Sequence, residues 1–404
     1  MKQALSLAIA AVLLLAGCSP ASPPTESVST PLPSPPPVED QPVFVPTEIP
    51  EPEPDPRQET INGLLASMTP EEKVGQLFFP RCPAENGPEL AAEYHLGGYL
   101  LFTRNFKDAT GNWLTEEAFI QTVQSCQDAA SIPLLIGVDE EGGTVIRASR
   151  NPNLFEERCK SPQWLDRHQS AEHNIFASDI WEKNNNLLRF GINVNFAPVC
   201  DVSTDPNSFI YDRTLGKDAA ATAEYVAAVI RGSNGAQIGV GTVMKHFPGY
   251  GDNADTHTGI VTDERPLETF RTSDFLPFLA GIEASDGTTA ILVCHNIVTA
   301  MDPDRPASLS PAVYQILREE LHFEGPALTD DLSMKAATKY AKEQGTSPAV
   351  MALAAGCDMV VTADFQEQVP QVLAALEEGT LPQARVDEAA ARVLGWKYDL
   401  GLLP

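Results

Sequence analysis

The stretch KHFPGYGDNADTHTG, residues 245–259, holds residue types that can carry acid–base chemistry. Asp255 and His257 stand one residue apart, in a segment whose glycines and proline disfavour a helix and leave the backbone free to move. An imidazole with its ordinary pKa of about 6.5 can donate and accept protons near neutral pH, and a neighbouring carboxylate can hold its tautomer. Metal binding is the competing interpretation, but no third and fourth ligand follow at a consistent spacing. These residue types could therefore support proton transfer or simply form a solvated turn, and we predict no metal and no cofactor.

Other polar residues share one position, because each follows a short apolar segment of strand-like composition. These residues are Asp139, Asp201, Lys245, His246, His295, Asp330 and Asp331. A single carboxylate after a strand is often only a turn residue. In a barrel of parallel strands, however, the active site is built where the carboxyl ends of the strands meet. The repetition at five segment ends therefore predicts one shared site rather than a set of unrelated turns.

The elements that would position these residues alternate along the chain from residue 58 onward. Longer helical patterns separate eight apolar segments, namely VGQLFFP, LGGYLLF, PLLIGVD, INVNFAPV, GVGTVMKHF, AILVCHN, GPALTDD and CDMVVTA. Thr69-Pro70 and Ser310-Pro311 each supply an N-cap and a proline at the first helical position. The alternation predicts an α/β fold, a single (β/α)8 TIM-type barrel over residues 58–404, rather than an open doubly wound sheet. The sequence has no P-loop and no GxGxxG after the first strand, which argues against nucleotide binding.

The N-terminal segment MKQALSLAIAAVLLLAGC has a basic start, a short apolar run and a small residue before Cys18. The run is too short for a stable membrane-spanning helix, so we predict a cleaved export signal over residues 1–17. Its LAGC ending resembles the bacterial lipobox, which implies that Cys18 carries a lipid. Residues 18–57 contain fourteen of the 34 prolines, a composition that predicts an extended, disordered tether. We therefore expect the protein outside the cytoplasm, anchored to the cell membrane.

The net charge and the cysteine spacing limit what the protein can bind. The chain of 404 residues carries a formal net charge of −28, and such an acidic surface repels polyanions, so we expect no nucleic-acid binding. The six cysteines beyond Cys18 show no CxxC pair and no metal-ligand spacing; their even number permits disulfides without requiring them. The sequence leaves the oligomeric state open, and a monomer is our expectation.

Seven strings occur in order between residues 70 and 398: LFTRNF, GVDEEGGTVIR, INVNFAPVCDV, DRTLG, KHFPGYGDNADTH, ALTDDLSM and AAGCDMVV. Together they resemble the family 3 glycoside hydrolases, and in particular the single-domain bacterial β-N-acetylglucosaminidases. The Lys-His-Phe-Pro-Gly string followed by Asp-x-His is highly specific. The acidic pair after a strand is weak alone but strong in this position.

The resemblance implies a retaining exo-β-N-acetylglucosaminidase that removes terminal GlcNAc from muropeptides or chitooligosaccharides. Asp330 would attack the anomeric carbon and form a covalent glycosyl-enzyme, while His257, paired with Asp255, would act as acid and base. Asp331 would orient the loop without taking part in the chemistry. The residues implied to bind the sugar hydroxyls are Asp139, Arg213, Lys245 and His246.

Two departures from the family pattern leave the leaving-group preference open. Tyr250 stands where a second His is usual, and Thr144 stands where an Arg usually follows the paired glycines; Tyr250 could stack or hydrogen-bond near the sugar. A non-catalytic, carbohydrate-binding lipoprotein is one alternative, although a decayed enzyme would be expected to lose Asp330, Asp255 or His257. A related β-glycosidase or a phosphorylase is another, because a His acid–base suits an anionic acceptor.

Overall fold

The computed structural model describes residues 55–170, 174–234, 239–254 and 259–404. The predicted signal, Cys18 and nearly all of the tether lie outside these ranges, and so do Asp255 and His257. Helix α1 (Pro56–Ser67) begins slightly before the predicted domain start at residue 58. The Arg57 guanidinium forms an ion pair with Asp399 at 2.7 Å, so the first described helix is fixed against the end of the chain.

Six strands form one parallel sheet, and their order in the sheet follows the chain. They are β1 (Gly98–Leu101), β2 (Leu135–Val138), β3 (Val194–Asn195), β4 (Gly241–Phe247), β6 (Thr289–Val293) and β8 (Ala327–Thr329). Two short strands, β5 (Thr262–Asp263) and β7 (Ile297–Val298), lie in the segments that follow β4 and β6 and pair with each other in parallel.

Residues 77–82 and 357–362 close this sheet into a ring. Parallel bridges join Leu328 with Met359, Phe78 with Val360 and Arg81 with Leu100. Pairing therefore runs from β8 through both segments back to β1, which gives eight parallel positions around the ring. All eight coincide with the apolar segments of the sequence, so the predicted (β/α)8 TIM-type barrel is confirmed.

Helices follow the barrel strands and cover them. After α1 they are α2 (Pro70–Gln76), α3 (Gly87–Glu93), α4 (Glu116–Ala129), α5 (Pro162–His168), α6 (Ile175–Arg189), α7 (Ala219–Ser233), α8 (Leu267–Thr269), α9 (Phe275–Ala284), α10 (Pro311–Gln315), α11 (Lys335–Gln344), α12 (Pro348–Ala355), α13 (Phe365–Glu377) and α14 (Gln383–Asp399). A π-helical turn, Phe270–Asp274, joins α8 to α9, and a second, Ile316–Glu320, extends α10.

Both predicted helix starts have the expected local chemistry. Thr69 Oγ1 accepts a hydrogen bond from Glu72 N at 3.2 Å, and a Glu72 carboxylate oxygen accepts one from Thr69 N at 2.8 Å, which completes a capping box before α2. Ser310 Oγ accepts from Val313 N at the start of α10. These caps satisfy backbone N–H groups that have no partner inside the helix.

The barrel interior is filled by side chains rather than open. Phe79 and Phe196 meet edge to face, with ring centroids 5.3 Å apart. Gly137 on β2 leaves the space for this pair, because a Cβ there would lie 2.7 Å from the Phe196 ring and 2.8 Å from the Phe79 ring. The tight interior seals the barrel centre and leaves the carboxyl ends of the strands as the surface where a ligand can bind.

The amino-terminal side of the barrel is held by a buried ionic cluster. Asp358, which is fully buried, binds Arg318 at 2.5 Å, Arg385 at 2.6 Å and Arg392 at 3.3 Å. Arg318 also donates to the carbonyl oxygen of Phe323 at 2.5 Å. This cluster joins three parts of the chain: the segment before β8, residues 357–362 and α14. It lies at the opposite end of the barrel from the carboxyl ends of the strands.

Lys397 on α14 is also fully buried, and its Nζ donates to Gln76 Oε1 at 2.6 Å. Burial lowers the pKa of Lys397 to about 7. The amine is therefore only partly charged at neutral pH.

Within the described ranges, no helix is long and apolar enough to cross a membrane. The six cysteines of these ranges carry free thiols, and all but Cys159 are buried. The possible disulfides are thus not formed in this structure.

Candidate active site

The carboxyl ends of β2 and β4 meet at the predicted rim. Asp139 follows β2 directly, and Lys245 lies near the end of β4. Lys245 Nζ contacts Asp139 Oδ1 at 2.7 Å although more than 100 residues separate them. The side chain of Lys245 is buried and that of Asp139 is partly exposed. The buried Lys245 amine therefore holds the Asp139 carboxylate at the rim.

Glu141 is the centre of the site's charge network. Its Oε1 lies 2.6 Å from Lys245 Nζ and 2.7 Å from an Arg213 terminal nitrogen, and its Oε2 accepts from Arg213 Nε at 2.9 Å. Burial disfavours the charged form of Glu141, but the adjacent Arg213 and Lys245 cations stabilise it more strongly. The pKa of Glu141 therefore lies below its usual range. Burial likewise opposes the charge of Arg213, yet Glu141 raises its pKa above the ordinary value.

His246 is held in one tautomer by neighbours on both sides. Its Nδ1 lies 2.8 Å from Asp201 Oδ2, and its Nε2 lies 3.0 Å from an Arg213 terminal nitrogen. Because a guanidinium only donates, Nε2 must accept, so Nδ1 carries the proton and donates to Asp201. Asp201 also accepts from Tyr250 N at 2.7 Å, which joins the end of β3 to the segment after β4.

Tyr250 is buried, and its ring packs edge to face on His246 with centroids 5.2 Å apart. It supports the imidazole instead of presenting an open stacking face to a sugar. Phe209, on the loop after β3, is exposed, and its ring lies 6.1 Å from that of Tyr250. The exposed aromatic surface beside the site therefore belongs to Phe209. Thr144, the other departure from the family pattern, is exposed on the turn after β2.

Asp330 and Asp331 follow β8 but have different surroundings. Asp330 is partly exposed; its backbone N donates to Val293 O and its Oδ1 accepts from Asp331 N, both at 2.8 Å. Asp331 is buried, forms an ion pair with Arg81, and accepts from Ser333 N at 2.9 Å. Asp330 is thus the carboxylate with access to the rim, while Asp331 shapes the turn.

His295 supports the same turn from beneath. It is fully buried, its Nε2 lies 3.0 Å from Asp331 O, and its Nδ1 lies 2.7 Å from Ser308 Oγ. The sequence placed His295 with the residues of the predicted shared site, and the structure gives it a packed, hydrogen-bonded position.

Three charged residues that pair with groups at the rim were not assigned from the sequence: Glu141, Arg147 and Arg81. Arg147 lies 3.8 Å from Asp139 Oδ2, and the guanidinium groups of Arg147 and Arg81 lie 5.7 Å and 4.9 Å from the Phe102 ring centroid. Two cations therefore flank one aromatic ring near the acidic groups of the rim. The signal for Glu141 and Arg147 was their presence in GVDEEGGTVIR, the string that begins at the end of β2.

The predicted acid–base pair, Asp255 and His257, lies outside the described residues, but the preceding segment is described. Gly249 and Gly251 have positive φ values of 126° and 56°. A Cβ on Gly249 would overlap the Asp274 carboxylate, and one on Gly251 would lie 2.5 Å from the Arg265 guanidinium carbon. These glycines therefore serve close packing, in addition to the backbone freedom inferred from the sequence. The described residues contain no cluster of His, Cys, Asp and Glu able to hold a metal.

Residues 69–395 match the Glycosyl hydrolase family 3 N terminal domain. The chain belongs to glycosyl hydrolase family 3. It is a glycoside hydrolase, and the barrel rim with Asp330, Asp139 and Lys245 lies inside the matched region.

Curated relatives of this family 3 chain cover most of its length. It is 35% identical over 299 residues to "Beta-hexosaminidase" of Idiomarina loihiensis, an alignment that covers 73% of this chain and 85% of that protein. It is 32% identical over 407 residues to "Beta-hexosaminidase LpqI" of Mycobacterium tuberculosis, covering 97% and 96% of the two chains.

Solved structures of family 3 enzymes share its fold. The β-N-acetylglucosaminidase from Paenibacillus sp. str. FPU-7 superposes with a TM-score of 0.73 at 28% identity, covering 83% of this chain and 63% of that longer one. M. tuberculosis LpqI superposes with a TM-score of 0.71 at 29% identity, covering 82% and 95%. The family 3 resemblance inferred from the sequence is confirmed.

Proposed function

We propose that this chain is a retaining exo-β-N-acetylglucosaminidase that removes terminal, non-reducing β-linked GlcNAc from muropeptides or chitooligosaccharides. The observation that carries the proposal is the buried network of Asp139, Glu141, Arg213, Lys245 and His246 at the barrel rim, in a chain whose relatives are named β-hexosaminidases. The N-acetyl preference rests on those relatives.

The network is suited to hold one sugar unit. Directed donors from Lys245 and Arg213 and acceptors from Asp139 match the hydroxyls of a sugar ring, and their mutual pairing reduces the cost of burying charge. Glu141 closes the inner side of the network, where its side chain is fully enclosed. Exo action is what the family resemblance of the sequence implies.

Asp330 is the attacking carboxylate in this proposal. The hydrogen bond from Asp331 N to Asp330 Oδ1 orients the carboxylate that would attack the anomeric carbon. Attack would form the bond from Asp330 to the anomeric carbon as the bond to the leaving oxygen breaks, and His257 would transfer its proton to that oxygen. His257 would then take a proton from water as the water oxygen bonds to the anomeric carbon, which breaks the bond to Asp330 and releases the sugar. Asp255 would hold the imidazole and stabilise its charged form.

We also propose that the protein is exported and held at the outer side of the cell membrane by a lipid on Cys18. The support is the sequence alone: a basic and apolar leader, the LAGC ending and the proline-rich segment. Replacing Cys18 by Ala should release the protein from the membrane fraction without changing its kinetics. Retention of that variant in the membrane would mean that the leader itself is the anchor.

The decisive experiment incubates the soluble protein from residue 53 with nitrophenyl β-GlcNAc, β-glucoside and β-xyloside, with and without phosphate. Faster release from β-GlcNAc, with free GlcNAc as the product in both conditions, is the expected result. A sugar phosphate as the main product would make the protein a phosphorylase. Specific binding of GlcNAc oligosaccharides with no turnover of any glycoside would make it a carbohydrate-binding protein.

A further inference from the structure

The Arg265 guanidinium joins four groups just after β5. Its terminal nitrogens contact Asp263 Oδ2 at 2.8 Å and Asp274 Oδ1 at 3.0 Å, and one also lies 3.3 Å from the carbonyl oxygen of Gly249. The guanidinium carbon lies 4.3 Å from the centroid of the Phe270 ring. Phe270 and Asp274 are the first and last residues of the π-helical turn, so this irregular turn presents both to Arg265.

Two further contacts lie close to the same guanidinium. The Cα of Gly251 packs so near it that an added Cβ would lie 2.5 Å from its central carbon. Asn253 Nδ2 donates to Asp263 Oδ2 at 2.6 Å and to Tyr250 O at 2.8 Å. Arg265 and its partner Asp263 are therefore in contact with the segment after β4 at Gly249, Gly251 and Asn253.

These contacts link the two segments that flank residues 255–258 in the sequence. We call residues 249–254 the leading stem and residues 259–265 the trailing stem. The residues between the stems include Asp255 and His257, which lie outside the described ranges. Asp263 and Arg265 belong to the trailing stem, and Gly249, Gly251 and Asn253 to the leading one, so a single guanidinium and its carboxylate partner fix the distance between the two stems.

We propose that Arg265 is a positioning residue for proton transfer, because it joins the leading and trailing stems between which the sequence places Asp255 and His257. The inference rests on the proposed function, in which that pair is the acid and base. Arg265 touches no sugar ligand named above, so its effect is on the proton-transfer step and not on sugar binding.

The trailing stem has contacts that do not depend on the Arg265 side chain, so the effect of Arg265 on catalysis can be measured separately from its effect on stability. The trailing stem is also held by backbone pairing, since β5 pairs with β7 and Thr299 N donates to Asp263 O at 3.0 Å. Loss of the guanidinium would leave this backbone pairing in place. It would, however, leave Asp263 and Asp274 buried without their cation, which is destabilising. A second variant that keeps all three charges is therefore needed.

The test compares Arg265→Ala, Gly251→Ala and His257→Ala on two β-GlcNAc glycosides, one with a nitrophenyl and one with a methyl leaving group. A methoxide needs a proton to depart and a nitrophenolate hardly does. We expect Arg265→Ala to lower kcat about 100-fold on the methyl glycoside but only about 10-fold on the nitrophenyl glycoside, with KM nearly unchanged on both. Gly251→Ala, which pushes the leading stem off the guanidinium, should show the same trend more mildly.

Restoring the turnover of Arg265→Ala with added azide or guanidinium distinguishes a positioning role from a general loss of structure. Azide, which needs no base to attack the glycosyl-enzyme, should restore part of the nitrophenyl turnover of Arg265→Ala and yield a β-glycosyl azide. Millimolar guanidinium should restore part of its methyl glycoside turnover, because it can refill the site between the carboxylates. The matched control is Arg271→Ala, which removes an exposed arginine paired with Glu320 at 2.7 Å and should behave as wild type on both substrates.

Equal losses on both glycosides in Arg265→Ala and Gly251→Ala, with no rescue by azide or guanidinium, would overturn the positioning role. If His257→Ala keeps its leaving-group dependence in that case, the proposed function stands and only the inference about Arg265 is lost. If His257→Ala itself shows no such dependence, the acid–base assignment falls and this inference with it.

Discussion

Lys245 Nζ and Glu141 Oε1 lie 2.6 Å apart at the carboxyl rim of the barrel, and both side chains are almost entirely removed from solvent. Such a pair stabilises little by itself, because desolvation offsets much of the attraction, but either charge alone is costly. The pair is therefore better explained by what it presents to a ligand. Lys245 also binds Asp139, so the buried ion pair fixes a carboxylate that faces the rim.

Removing the Glu141 charge should damage both binding and folding. In Glu141→Gln, Lys245 and Arg213 lose their shared counter-charge and can no longer be held at their present distances. We expect kcat/KM on nitrophenyl β-GlcNAc to fall about 100-fold and the free energy of unfolding to fall by about 3 kcal/mol. Steady-state kinetics and urea unfolding measure the two effects. Wild-type kcat/KM in a folded variant would remove Glu141 from the sugar site.

The ionic cluster below the barrel should affect stability alone. Asp358→Asn leaves Arg318, Arg385 and Arg392 near one another without their common carboxylate. We expect a loss of about 3–5 kcal/mol in the free energy of unfolding, with kcat unchanged for the folded protein. Breaking the exposed Arg271–Glu320 pair should cost less than about 1 kcal/mol in the same urea assay. Comparable losses from the two changes would mean that the buried cluster is not a structural tie.

Lys397 should make stability depend on pH. Its pKa is about 7 in the folded protein and near its ordinary value of 10.5 when unfolded, so between these values the unfolded chain binds the extra proton. The contribution of Lys397 to the free energy of unfolding therefore rises between about pH 7 and about pH 10, by roughly 4–5 kcal/mol in total. Lys397→Met should be more stable than wild type at pH 7 and below, and the difference should shrink as pH rises. A wild-type-minus-variant difference that is constant across this range would contradict the assignment.

Phe209 should contribute to the leaving-group side of the reaction. It is exposed next to Tyr250, which packs on His246, and an aromatic face can stack on the apolar face of a second sugar. We expect Phe209→Ala to raise KM for GlcNAc disaccharides about five-fold, the loss of about 1 kcal/mol, while the methyl glycoside is unaffected. Trp181→Ala, which removes an exposed aromatic on α6, is the matched control. An equal KM change on both substrates would place Phe209 outside the leaving-group side.

The barrel could be predicted from the sequence because its strands are buried on both faces and read as continuous apolar segments. The partners at the rim could not, because they depend on which side chains meet across distant strands. Glu140 and Glu141 are adjacent and identical in type, yet Glu140 binds the backbone N–H groups of Arg147 and Ala148, while Glu141 binds Lys245 and Arg213. Only the fold tells them apart. Asp255 and His257 lie outside the described residues and remain predictions from the sequence.

We propose that Asp330 forms a covalent bond to the sugar. The most direct measurement uses a 5-fluoro N-acetylglucosaminyl fluoride, whose fluoride departs without acid help and whose ring fluorine slows release of the sugar, followed by mass spectrometry of the digested protein. We expect the protein to gain one glycosyl unit, with the label on Asp330 itself, while Asp330→Asn stays unlabelled. A label on Asp331 or any other residue, or no label while the reagent is still hydrolysed, would contradict it.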